Sequence, residues 1–233
     1  MSEQSSTDPK TADDPEARGL RLVPVLLGLT VVSGLIDAVS YLGLEHVFTA
    51  NMTGNVVVLG FAAAGAPGFS VAHTLTSLGS FVVGAAAGGR GAVRLGGGSR
   101  RTWVRLTLAA EAVLLGVSAV VAFAAPGATA TAYTLIAVTA FAMGLRNATV
   151  RKLGVPDLTT TVLTMTLTGL AADSRAAGGG PGTRSPRRTA SVIAMVAGAT
   201  LGAWLVLHHG LGIPLAISAG LVAVLAAVAS GRE

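Results

Sequence analysis

Asp37 stands inside the apolar stretch 22–43. An ionised carboxylate among lipid tails is costly unless it is paired or hydrated. Asp37 must therefore face a polar cavity, carry a proton, or meet a cation. It is a candidate proton or cation site, or one wall of a solute path. Arg146 lies in a later apolar stretch, and a buried Asp37–Arg146 pair is the equally open structural reading. Arg146 and Asn147 are candidates for an anion contact or a gate, against an Arg that only snorkels to the interface. Asn51, Thr53, Gly54 and Asn55 open a short apolar stretch. Asn and Thr side chains can satisfy main-chain groups released where a helix breaks, and Gly54 permits close approach or positive φ. The start of such a half-helix turns positive partial charge toward an anionic group. Thr161, Thr164 and Thr168 follow i, i+3, i+7 spacing and would line one helix face in a second such stretch. The plainer reading of these hydroxyls and amides is hydrogen bonding between membrane helices.

The other polar residues carry less. Glu111 is a candidate second intramembrane carboxylate, but the favoured reading is a carboxylate near the interface, hydrated or paired with an Arg. His208 and His209 are adjacent and point apart on a helix, so no metal site is expected there. His73 and Ser77 have i, i+4 spacing but no nucleophile turn around them. There is no Cys, which removes disulfides, thiolate ligands and Cys nucleophiles. No Walker, dinucleotide or EF-hand motif occurs. The chain is expected to be no enzyme, with no cofactor and no metal, and any transport would draw on a gradient.

The elements holding these residues follow from composition. Of 233 residues, 52% are hydrophobic and 12% charged, with mean hydropathy +0.69. A soluble domain carries about 25% charged residues, so the expected class is an all-α membrane protein. At 4% aromatic residues, a barrel with aromatic girdles is disfavoured. Six stretches are long enough to span: 22–43, 70–89, 103–124, 129–147, 190–208 and 211–230. Two more, 48–65 and 156–171, are shorter or more polar. If both dip in and return, the basic clusters Arg90–Arg105, Arg146–Lys152 and Arg175–Arg188 all fall on one side, and no Lys or Arg lies in the opposite connections. The positive-inside tendency then predicts six crossings, two re-entrant or broken segments and cytoplasmic termini. An eight-span alternative stays open. The acidic, polar tail 1–20 is expected to be disordered and unlike a signal peptide. The net charge of +5 is distributed for orientation in a bilayer, and nucleic acid is not an expected partner. Arg outnumbers Lys fourteen to two, a usage common in GC-rich bacteria, so a bacterial inner membrane is the expected location.

The chain also resembles itself. Gly34-Leu35-Ile36-Asp37-Ala38 matches Gly144-Leu145-Arg146-Asn147-Ala148, and Met52-Thr53-Gly54-Asn55 matches Leu163-Thr164-Met165-Thr166. Gly84 and Gly88 match Gly198 and Gly202; both pairs have the spacing of close helix packing. The order is kept while the offset drifts from 110 to 114 residues. The expected units are a first membrane repeat, 21–125, and a second, 126–233. Each would contain three crossings, so the second would be inverted, a plan common in transporters.

The segment Ser33–Ala38 with Phe48–Asn55, strengthened by Gly144–Ala148 and Thr160–Thr168, resembles the YoaK-type family of bacterial multi-pass membrane proteins. The resemblance covers about residues 20–230. It implies a membrane protein of this length and brings no substrate, reaction or cofactor. Met165 stands where the family more often has Gly. The functional expectation is a small secondary transporter or channel-like permease for a small solute or ion; the alternative is a non-transporting scaffold or sensor subunit. The lipid bilayer is the expected partner, and a homodimer is compatible with the small size.

Overall fold

The computed structural model describes residues 22–95, 100–153, 163–173 and 185–229. The tail 1–20, Thr161 and the basic residues Arg175 and Arg184 lie outside the described residues. The described chain is all helical, with eight helices: α1 (Leu22–Gly43), α2 (Met52–Ala63), α3 (Val71–Leu95), α4 (Arg100–Ala124), α5 (Thr129–Leu153), α6 (Leu163–Ala172), α7 (Ser185–His209) and α8 (Gly212–Val228). Four of them, α1, α3, α4 and α7, are long and apolar enough to cross a membrane. Helix α5 is as long as α3, at 25 residues, but its last turns carry Arg146, Arg151 and Lys152. Helix α8 has 17 residues, at the short edge of the spanning range. The two short stretches form α2 and α6, of 12 and 10 residues.

Helices α1, α4, α5 and α8 enclose the main apolar core, which includes Leu26, Ile36, Leu115, Leu135, Met143 and Leu215. Helix α3 packs chiefly on α5, α7 on α1, and α4 on α8. The outer faces of α3 and α7 are exposed and apolar, with Val82, Val83, Ile193 and Val196 all over half exposed. An oily exterior around buried polar groups suits lipid as solvent.

Glycines set the two closest helix approaches. A Cβ on Gly84 would overlap the Phe141 carbonyl oxygen, and one on Gly88 would come within 2.8 Å of the Leu145 oxygen. On the other pair, a Cβ on Gly198 would overlap the Val31 oxygen, and one on Gly202 would come within 2.8 Å of the Leu35 oxygen. Gly34 and Gly144 complete the contacts from the facing helices, against Met195 and Phe81. Each position lets two backbones meet where no side chain fits.

Between α1 and α2 the chain reverses through 44–51. Glu45 and His46 both have positive φ, 59° and 56°, uncommon for residues with a Cβ. His46 Nδ1 donates to the Gly68 carbonyl at 3.1 Å, and the His46 ring lies beside Phe69. The start and finish of the 44–70 excursion therefore meet, so α2 returns the chain to the end of the bundle it left.

Candidate functional site

The excursion is held by polar side chains. Asp37 Oδ1 accepts from the Ala50 amide at 3.1 Å. Asn55, fully buried, clamps one residue by both main-chain groups: its Oδ1 accepts from Phe48 N at 2.8 Å, and its Nδ2 donates to Phe48 O at 2.6 Å. Ser77 on α3 donates to the same Phe48 oxygen at 2.6 Å and accepts from Asn55 Nδ2 at 3.0 Å. Asn51 caps α2, accepting from Gly54 N at 3.3 Å. Gly54 leaves room for the Phe48 ring, which a Cβ would meet at 2.7 Å. Asp37 and Asn55 thus position the lead-in to α2, with their polar atoms engaged by main chain. Asn55→Ala is expected to leave the Phe48 amide without its partner, while the Phe48 oxygen keeps Ser77. At about 1–3 kcal/mol for a buried group left unpaired, the loss is about 1–3 kcal/mol, read by denaturant titration in detergent micelles.

Beside this lead-in lies a cavity of about 830 Å³. Asn51, Met52 and Thr53 at the start of α2 form one wall; Phe81, Ala85 and Gly89 of α3 and Asn147, Arg151 and Lys152 of α5 form the others. Thr53 is exposed into this space, and Ala50 lines it. Among the described residues no acidic one lines the cavity and two cationic ones do, and the N-terminus of α2 adds positive partial charge.

Arg146 sits elsewhere, and its partner differs from the expected one. It is 1% exposed, so it does not snorkel. Its Nη1 lies 3.2 Å from Glu111 Oε1 on α4, and Glu111 is 0% exposed. Arg146 Nη1 also donates to Leu29 O at 3.2 Å, and Nη2 to Ser33 Oγ at 2.9 Å. The Asp37–Arg146 ion pair is not formed; Arg146 lies one turn short of Asp37 along α1. Glu111, read as an interfacial carboxylate hydrated or paired with an Arg, does pair with an Arg but is buried midway along α4. Helical spacing within α5 gives no sign of which neighbouring helix Arg146 faces.

The second short helix departs from the expected pattern too. Thr164 and Thr168 are exposed, and Thr168 Oγ1 donates to its own helix at Thr164 O, 2.9 Å. Thr166, 6% exposed, is the inward hydroxyl. The i, i+3, i+7 pattern pointed to the opposite face; the match of Asn55 with Thr166 in the self-similar segments was the signal that could have found it. Arg188, considered only as a topogenic charge, pairs with Asp173 at 2.6 Å, in the space that Gly169 leaves. His73 and Ser77 do not pair: Ser77 serves Phe48, and the His73 ring packs 4.2 Å from Tyr133.

These features define a polytopic helical membrane protein with charges sequestered inside. The chain belongs to the family described as protein of unknown function DUF1275, whose model matches residues 25–228. It is similar to the UPF0700 transmembrane protein YoaK of Bacillus subtilis (strain 168), 36% identical over 148 residues. That match covers 62% of this chain and 64% of the relative's length, just under two thirds. No solved structure matches the chain.

Proposed function

We propose that this protein is a small gradient-driven permease for a small anionic solute, lodged in a bacterial inner membrane with both termini cytoplasmic. The observation that carries the reading is the 830 Å³ cavity that the start of α2 borders, with Arg151, Lys152, Asn147 and Asn51 on its walls. A cavity of this size accommodates a small molecule, and its charge favours an anion.

An inverted repeat supports the reading, because transporters place their sites where broken helices meet between such halves. Exchanging α1–α4 with α5–α8 in order maps the main helix contacts onto one another: α1·α7 into α5·α3, α4·α5 into α8·α1, α2·α3 into α6·α7, and α4·α8 onto itself. The glycine contacts follow the same exchange, and so does burial: Asn55 and Ser77 correspond to Thr166 and Ser191, all buried. Helices α1, α3, α4, α5, α7 and α8 would cross, and α2 and α6 would dip in. A homodimer is compatible with the broad apolar faces of α3 and α7.

The second reading, a non-transporting scaffold or sensor, is favoured by the sealed surroundings of Arg146 and Glu111. Flux into proteoliposomes separates the two. Chloride, acetate and inorganic phosphate are the probes, and one of them should move at least about tenfold faster than through protein-free vesicles. Thr53→Trp, which fills the cavity from an exposed position, should return that flux to background while leaving the fold intact. No flux of any probe, or flux indifferent to Thr53→Trp, contradicts the permease reading.

A further inference from the structure

We propose that Glu111 is the coupling-proton site of the permease, and that Arg146 relays its protonation to α2 by passing from Glu111 to Asp37; the inference rests on the transport reading for its purpose, not for its test. Three observations converge. The Glu111–Arg146 pair is under-satisfied: neither Glu111 oxygen nor Arg146 Nε has a hydrogen-bond partner. A buried ion pair repays its desolvation only when further hydrogen bonds complete it, so this one is poised to change. Beside Arg146 lies a small cavity of about 10 Å³, lined by Leu26, Leu29, Val104, Leu108, Thr149 and other residues toward the end of the bundle where α1 and α4 begin and α5 finishes. That is about the space of one water, and it lies against the Arg146 side of the pair. Finally, Arg146 is bonded to Ser33, and Asp37 lies one helical turn further along the same face of α1.

The sequence of events balances simply. A proton delivered by water adds to a Glu111 carboxylate oxygen and makes a neutral carboxylic acid. Arg146 loses its counter-ion and turns along α1 to the carboxylate of Asp37. Asp37, now paired with a guanidinium, lets go of the Ala50 amide, and the lead-in to α2 is freed at the wall of the large cavity. Loss of the proton from Glu111 reverses each step. Among the described residues no other charge competes closely. Helix α8 carries no ionisable residue; Arg105 on α4 and Arg90 and Arg94 on α3 are exposed near the ends of their helices.

The absence of Cys allows a direct test on the full chain in detergent, without solute or gradient. A single cysteine placed by Ala50→Cys reports release of the lead-in, because Ala50 is 4% exposed. Thr53→Cys, already exposed, corrects for the effect of pH on thiol reactivity. The ratio of their maleimide labelling rates should rise at least about fivefold from neutral to mildly acidic buffer. Glu111→Gln should hold the ratio at its acid value at every pH. Asp37→Asn, which cannot attract Arg146, should hold it at its neutral value. A flat ratio in the parent background overturns the proposal, as does a pH response that survives Glu111→Gln. Should Glu111→Gln not accumulate, Asp37→Asn decides: a persisting response there overturns the relay. A working switch in a protein that moves none of the probe anions leaves the relay standing and removes the permease reading alone.

Discussion

Arg146→Met is expected to destabilise the protein by about 3–5 kcal/mol, the cost of leaving one member of a buried ion pair without the other. Glu111 is 0% exposed and has Arg146 as its ion-pair partner. Its lone carboxylate would have to take up a proton or draw water into the α1–α4–α5 core. The same substitution frees Ser33 Oγ and Leu29 O from their donor. Glu111→Leu combined with Arg146→Met should recover most of the loss, since apolar side chains of similar volume replace buried pairs at little cost. Denaturant titration in micelles measures both. If the single and double variants are equally destabilised, the pair is not the source of the loss.

Gly84→Ala and Gly198→Ala form the second large expectation. Each new Cβ would overlap a main-chain carbonyl oxygen, of Phe141 and of Val31 respectively. Main chain cannot rotate away as a side-chain tip can, so the helix pair must separate. The cost is about 1–3 kcal/mol by the usual penalty of overpacking. Gly60→Ala is the internal control: a Cβ there meets nothing within 4 Å, and the helix gains up to about 1 kcal/mol of propensity. The two deleterious variants should agree closely with one another, because the two helix pairs are built alike. A harmless Gly198→Ala beside a damaging Gly84→Ala would count against paired halves.

Much of the fold was legible because lipid imposes a one-dimensional rule. An apolar run of the right length becomes a helix, and the shorter, more polar runs become the short helices α2 and α6. The helix-packing glycines were visible as spacing, but the helices they meet were not. The site was only partly legible. Asp37 and Asn55 stood out as polar residues in apolar or broken segments, but what they hold is the main chain of Ala50 and Phe48, and main-chain partners leave no trace in residue identity. The Arg146–Glu111 pair joins two helices whose relative rotation no periodicity encodes. A helix's own pattern shows which residues share a face and is silent about what that face meets.

The account depends on α2 entering the bundle and returning to the end it left. Side-specific labelling of single cysteines in the cysteine-free chain measures this directly. Glu45→Cys and Pro67→Cys, both exposed and on opposite sides of α2 in sequence, should react with an impermeant maleimide from one and the same face of oriented vesicles. Val93→Cys, at the far end of α3, should react only from the other. Labelling of Glu45→Cys and Pro67→Cys from opposite faces would make α2 a crossing helix and contradict the account.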